Sequence, residues 1–214
     1  MQTTGKNLSI YFHVPFCLKK CPYCQFYTLP FDKDLKEQFV KSLIKEVKEN
    51  FFKYKDRKIV SIYFGGGTPS LLNGQQLERI VQALQANFQF DKEIEFTLEA
   101  NPDDINSINT QEWKNIGVNR LSIGIQSFQP NALSWMNRAH EAKQSHLAIE
   151  YAQAAGIHNI STDLIYGTPH LSDGDLIKDI EILNGYQIPH ISCYALTVEA
   201  VSYTHLTLPT KRIV

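Results

Sequence analysis

Short apolar runs rich in β-branched and aromatic residues alternate along this chain with longer segments of helical period. The runs at 8–14 (LSIYFHV), 59–64 (IVSIYF), 94–100 (IEFTLEA), 120–128 (RLSIGIQSF), 159–167 (NISTDLIYG) and 191–198 (ISCYALTV) predict six strands. Segments at 34–54, 73–88, 110–116, 132–155 and 173–184 predict five helices. In the first of these, Leu35, Phe39, Leu43, Val47 and Phe51 recur at every fourth position with Ile44 beside them, so that face is expected to pack and the lysines opposite to be solvated. Gly156 stops the fourth helix, as a glycine after the last turn should. Strands joined by helices imply parallel β/α units. Two closures fit, an open doubly wound sheet or a barrel. The polar candidates lie at strand C-terminal ends, which both architectures predict, so the pattern leaves the choice open.

Composition changes this picture little. At 214 residues the chain can bury one sizeable core. Hydrophobic content of 43% and charged content of 20% are those of a soluble globular protein. A net charge of -1 gives no electrostatic case for nucleic acid. The first residues, MQTTGKN, lack the apolar core of a signal peptide, and no apolar run is long enough for a membrane span. Clustered, unpaired cysteines fit a reducing compartment, so the expected location is cytoplasmic.

The strongest chemical signal is the stretch YFHVPFCLKKCPYCQFY at 11–27, which follows directly from the first strand. It carries Cys17, Cys21 and Cys24 in the spacing C-x3-C-x2-C. Three thiolates so close can wrap one soft-metal centre. A cubane iron–sulfur cluster needs a ligand for each of its irons, so three cysteines leave one iron open for chemistry. A zinc site would need a further ligand, for which His13 is the local candidate; a disulfide framework or buried structural cysteines are the remaining readings. Second in weight is Gly65-Gly66-Gly67-Thr68-Pro69-Ser70, which ends the second strand. It lacks the lysine and spacing of a phosphate loop. Its bare backbone can pair with a zwitterionic amino acid, or it is simply a tight turn.

C-x3-C-x2-C with an aromatic, Tyr23, before the last cysteine resembles the signature of the radical S-adenosylmethionine (radical SAM) enzymes. The longer string Y-F-H-V-P-F-C resembles one branch, the oxygen-independent coproporphyrinogen III oxidases and the haem chaperones called HemW. The resemblance spans about residues 8–200. It implies an α/β fold, a partial (β/α)6 barrel of the radical SAM type. It also implies a 4Fe-4S cluster on Cys17, Cys21 and Cys24, and S-adenosyl-L-methionine (SAM) on its open iron.

The same resemblance places SAM contacts at Tyr11, Tyr23, Gly66, Gly67, Thr68, Glu99, Gln126, Arg138, Asp163 and Ala195. Some of these have a chemical reading of their own. Glu99 ends the third strand, where a carboxylate suits an ammonium group or merely caps the next turn. Gln126 and Asp163 end the fourth and fifth strands and suit a ribose diol. Arg138 can grip a carboxylate in bidentate fashion; without the resemblance it reads as a surface arginine of the fourth helix. His13 shares a strand face with Tyr11, so both point into the barrel. Cys193, alone in an apolar strand, reads as core. Trp113 and Trp135 read as packing residues, and the remaining histidines show no metal spacing.

The oxidase branch carries a further cysteine two residues after the third; here that place is Phe26. The chaperone branch has C-P-Y-C-x-F, which fits better, although Gln25 stands where that branch usually has Asp. The resemblance therefore implies a haem chaperone with a haem acceptor protein as partner, and haem bound by the full-length protein. The alternatives are an oxidase acting on the propionates of a porphyrinogen with an electron donor, or an inactive fragment. Family members continue into a further helix and a smaller C-terminal domain, which are expected to be missing here. Residues 1–200 are expected to form the barrel portion. Residues 201–214 (VSYTHLTLPTKRIV) break the β/α rhythm and are expected to be a non-native or disordered tail.

Overall fold

The computed structural model describes residues 6–196. In chain order the elements are β1 (Lys6–Val14), β2 (Phe16–Cys17), β3 (Leu29–Pro30), α1 (Lys33–Tyr54), β4 (Arg57–Gly66), α2 (Gly74–Gln85), β5 (Gln89–Ala100), α3 (Ser107–Ile116), β6 (Arg120–Gln126), α4 (Pro130–Trp135), α5 (Ala142–Ala154), β7 (Asn159–Tyr166), α6 (Asp173–Gly185) and β8 (His190–Ala195). The tail expected from residue 201 lies outside the described residues.

Six strands form one parallel sheet in the order β1-β4-β5-β6-β7-β8. That order settles the choice left open by the sequence pattern. A doubly wound sheet reverses direction part-way, which sends its helices to both faces. Here each strand is laid beside the previous one without reversal. Crossovers of one hand then place every helix on the same face and curl the sheet toward a barrel. Among the described residues β1 and β8 do not pair, so the barrel is open, a half-barrel as expected.

Strand alternation divides the two faces sharply. Phe12 and Val14 of β1, Ile62 and Phe64 of β4, Phe96 and Leu98 of β5, Leu121 and Ile123 of β6, and Leu164 of β7 are buried against the helices. There they meet Val40 and Val47 of α1, Leu77, Ile80 and Leu84 of α2, Trp113 of α3, Ile149 of α5 and Leu183 of α6. The intervening residues Tyr63, Thr97, Glu99, Ser122 and Asp163 point to the concave side. The concave side is therefore polar.

Three expectations need correction. The predicted helix at 132–155 is two helices. Asn137 adopts φ 56°, and the bonds Arg138 N→Leu133 O and Asn137 N→Ser134 O close α4 with a left-handed cap. Glu141 and Gln144 then open α5 with a capping box. Arg138 thus sits in a loop, not on a helix. On α1 the buried positions are Lys36, Val40 and Val47, while Leu35 is exposed. Lys36 leaves the solvated lysine face because its Nζ donates to Leu71 O at 2.6 Å and lies over the Phe31 ring. Burial pulls its pKa down. Cys193 is exposed, not core, because β8 is the last strand of the sheet and nothing described packs on that side of it. Trp113 is fully buried, as expected of a packing residue.

Candidate metal centre and cofactor cleft

β1 delivers the chain to the top of the half-barrel, where Pro15 and Phe16 anchor the cysteine loop. Phe16 is buried edge-on against Phe39 of α1. The short β2–β3 ladder, with Leu29 N→Pro15 O at 2.6 Å and Phe31 N→Cys17 O at 3.1 Å, closes the loop at its neck. Between these anchors lie Cys17, Cys21 and Cys24, all free thiols and half-buried.

The loop rests on the glycine turn after β4. Gly67 N donates to Val14 O at 2.7 Å, and a Cβ on Gly67 would lie 2.7 Å from Phe16 O. Gly66 has φ 115°, a conformation that side chains resist, and a Cβ there would strike the His13 ring. The tight-turn reading of the glycines therefore holds, and the turn also lines the cleft.

Thr68 and Arg138 aim donors at the cysteine sulfurs, and the Tyr23 hydroxyl also lies against Cys21. Thr68 Oγ1 donates to Cys17 Sγ at 3.4 Å, and Arg138 Nη1 donates to Cys21 Sγ at 3.4 Å. Burial pushes the Cys17 thiol up, and the other two cysteines add to this, while Thr68 and Arg138 pull it back. Among the described residues no three His, Cys, Asp or Glu side chains converge on a single-ion position. The thiolates of a cluster each bind a different iron and need no such convergence. The zinc alternative also loses its local ligand. His13 Nε2 faces the Tyr27 carbonyl at 3.0 Å and so carries the proton, and Nδ1 accepts from Tyr11 OH at 3.3 Å.

All but two of the predicted residues line one cleft over the strand C-terminal ends: the three cysteines, Tyr23, Gly66, Gly67, Thr68, Glu99, Gln126, Arg138 and Asp163. Tyr11 sits lower on the concave wall, 57% exposed and packed on Tyr63. Ala195, on edge strand β8, does not line the cleft. Tyr23 is half-buried and packs against Ala132, Leu133, Met136 and Ile165, which ties the cysteine loop to the Arg138 loop.

Charge in the cleft is poised for a polar guest. Glu99 accepts from Tyr63 OH at 2.7 Å and from Gly66 N at 3.0 Å, yet burial still pushes its carboxyl up. Burial, then the charge of Glu99, push Asp163 up to about 6. Two carboxylates thus share a wall that favours a cation. Arg138 Nη2 donates to Asn101 Oδ1 at 2.8 Å and to Gly124 O at 3.1 Å. Among the described residues, buried Arg138 Nε and Gln126 Oε1 have no hydrogen-bond partner. Gln126 is itself held at φ 63°. One unmet donor, one unmet acceptor and two raised carboxylates fit a ligand that brings a carboxylate, hydroxyls and positive charge together. The backbone of Gln126 is held from behind: His140 Nε2 bonds Ile125 O at 3.1 Å, and buried Asp179 accepts from Ser127 Oγ at 2.6 Å and from Gln129 Nε2 at 2.8 Å.

Sequence reasoning missed Asn101, Tyr63 and Ser122, which belong to this cleft or its wall. Asn101 had a weak signal, as a polar residue closing the third predicted strand. Tyr63 and Ser122 had none beyond strand alternation.

Comparisons with known proteins agree with this geometry. The family model described as the radical SAM superfamily matches residues 11–183. Proteins named heme chaperone HemW match over nine-tenths of the chain: that of Haemophilus influenzae is 34% identical over 197 residues, and that of Lactococcus lactis 36% over 194. These alignments cover 51% and 50% of the relatives, so the chain spans about half the length of the curated relatives it matches. Among solved structures, the radical SAM enzyme coproporphyrinogen III oxidase (HemN) of Escherichia coli superposes with a TM-score of 0.86 at 26% identity, covering 93% of this chain and 46% of that one. Methylornithine synthase (PylB) shares the fold alone, with a TM-score of 0.58 at 11% identity.

Proposed function

This chain belongs to the radical SAM superfamily, and on that premise we propose that Cys17, Cys21 and Cys24 hold a 4Fe-4S cluster and that the adjoining cleft takes SAM. The observation that carries this reading is the pairing of three half-buried thiols with a cleft holding an unmet donor, Arg138 Nε, and an unmet acceptor, Gln126 Oε1. Glu99 would take the ammonium of SAM and Asp163 its ribose hydroxyls, with Gly66, Gly67 and Thr68 supplying backbone beside the methionine part. When bound, such a cluster supplies the electron that cleaves the sulfonium of SAM. The chain's own residues hold, orient and shield; the glycine turn excludes side chains from the space between loop and sheet.

For the protein as a whole the favoured activity is that of a cytoplasmic haem chaperone that passes haem to an acceptor protein. Its support is the similarity to HemW proteins and Phe26 at the place where the oxidase branch carries its further cysteine. Phe26 lines the cleft and is largely exposed there, apolar where that branch has a thiol. The rival is porphyrinogen decarboxylation, favoured by the closeness of fold to HemN.

Anaerobic reconstitution with iron and sulfide, read by visible absorption and electron paramagnetic resonance (EPR), tests the first part. A reducible 4Fe-4S signal that shifts with SAM is expected; no signal, or one surviving replacement of all three cysteines by Ala, overturns it. Haem and coproporphyrinogen III are then offered to the loaded protein. Stoichiometric haem binding without turnover supports the chaperone, and protoporphyrinogen formation overturns it.

A further inference from the structure

Asn101, which no motif singles out, joins Thr68 and Arg138, both of which donate to cysteine sulfurs. It follows β5 directly, and its backbone N donates to Ser70 Oγ at 3.4 Å. Ser70 in turn donates to Asp104 Oδ2 at 2.6 Å, so the turn carrying Asn101 is fixed from behind the glycine loop. The polarity of its amide is dictated by its neighbours. Arginine can only donate. Arg138 Nη2, 2.8 Å away, must therefore meet the Asn101 oxygen. The amide nitrogen is left to donate to Thr68 Oγ1 at 3.4 Å. With its lone pair so engaged, the Thr68 hydroxyl has its proton for Cys17 Sγ. The same contact with Asn101 and the bond to Gly124 O hold the Arg138 guanidinium with Nη1 on Cys21 Sγ. One side chain thus directs two donors onto two of the three cysteines.

We propose that Asn101 is a positioning residue that holds the Thr68 hydroxyl and the Arg138 guanidinium on the sulfurs of Cys17 and Cys21, and that these two hydrogen bonds raise the reduction potential of the cluster those cysteines bind. The inference rests on the cluster reading above and deepens it. The added electron spreads onto the sulfur ligands, so donors aimed at sulfur stabilise the reduced form more than the oxidised one. An unaided cluster in a half-buried loop would be harder to reduce. The role differs from that implied for Arg138 by family resemblance, because the guanidinium spends three of its contacts on Cys21, Asn101 and Gly124. That engages three of its five N–H groups, and among the described residues Nε has no partner.

The test is an EPR-monitored redox titration of the reconstituted protein without SAM. The midpoint is expected to move to more negative potential in Thr68→Val, which replaces the hydroxyl by a methyl of the same shape, and further in Asn101→Leu. Thr68→Ser, which keeps the hydroxyl, is expected to stay at the wild-type midpoint. Thr68→Val added to Asn101→Leu should shift it by less than the sum of the two, because both act through one hydroxyl. Unmoved midpoints in Thr68→Val and Asn101→Leu at full cluster content overturn the proposal, as do strictly additive shifts. If Asn101→Leu takes up no iron, Asn101→Ala takes its place in the same comparison with Thr68→Val. Failure of the wild-type chain to take up a cluster is seen in its absorption before any titration; it sinks the cluster reading, and this inference with it.

Discussion

Replacing Asp163 with Asn is expected to stabilise the ligand-free chain while weakening the SAM binding proposed for its cleft. Asp163 lies on the concave face of β7, and burial, then the charge of Glu99, push its carboxyl from an ordinary 3.8 up to about 6. A bond with Ser192 and the charges of His190 and Arg120 pull it back only in part. That rise corresponds to roughly 3 kcal/mol against the ionised form in the fold. A carboxyl raised in the fold contributes stability that is fully present below about pH 4 and lost as pH rises through about 6. Asparagine has no charge to desolvate and keeps an oxygen that can accept from Ser192. Asp163→Asn should therefore gain up to about 3 kcal/mol at neutral pH and nothing near pH 4, where wild type is neutral as well. Urea unfolding at the two pH values measures this directly. Equal destabilisation at both would refute the reasoning, because it would mean that the carboxylate is not penalised where it sits. The same variant should bind SAM about tenfold more weakly, the usual cost of losing one charged hydrogen bond. Stability gained at the expense of binding is the mark of a residue kept for a ligand.

Other perturbations follow from the same geometry. Gly66→Ala forces a side chain into φ 115° and against the His13 ring, so a loss of at least about 1–2 kcal/mol is expected in a thermal melt, with poorer iron uptake; an unchanged melt contradicts the tight seating of the turn. Trp113→Ala empties a fully buried site and should cost about 3–5 kcal/mol in urea; a cost under 1 kcal/mol would place the core elsewhere. Tyr63→Phe removes one of two donors to Glu99, so the carboxyl rises further and the loss of SAM affinity on acidification should begin at higher pH. Calorimetric titrations with identical pH curves for Tyr63→Phe and wild type would rule this out.

The order of elements was legible because each strand and helix declares its period locally. The choice between barrel and doubly wound sheet was not, since it depends on which strands become neighbours, and polar strand ends serve both. The misread helix at 132–155 carried its own stop and start in Asn137 and in Glu141 with Gln144, but an unbroken run of helix formers outweighed them. Lys36 defeated the periodic reading of α1 for another reason. Its burial depends on a carbonyl 35 positions away, Leu71 O, which no local pattern contains.

The candidate site divides along the same line. Cys17, Cys21 and Cys24 lie in one loop, and their spacing alone makes them a unit. Asn101, Tyr63 and Ser122 act across strands, and their partners are fixed only by register: Glu99 stands beside Ser122, and Tyr63 beside Thr97. A parallel sheet covered on both faces would carry apolar residues on both sides of each strand. Here Tyr63, Thr97, Glu99, Ser122 and Asp163 occupy successive concave positions on four strands, and two of them are carboxylates held above their ordinary range. A folded chain does not retain such a face for packing, because burying it without a partner is costly. The polarity of the concave wall is thus an argument for a ligand that is independent of the cysteines. It predicts that the cleft keeps some affinity for SAM even when all three cysteines are replaced by Ser. Calorimetry on that triple variant measures it, and complete loss of binding would show that the cluster, not the wall, supplies the affinity.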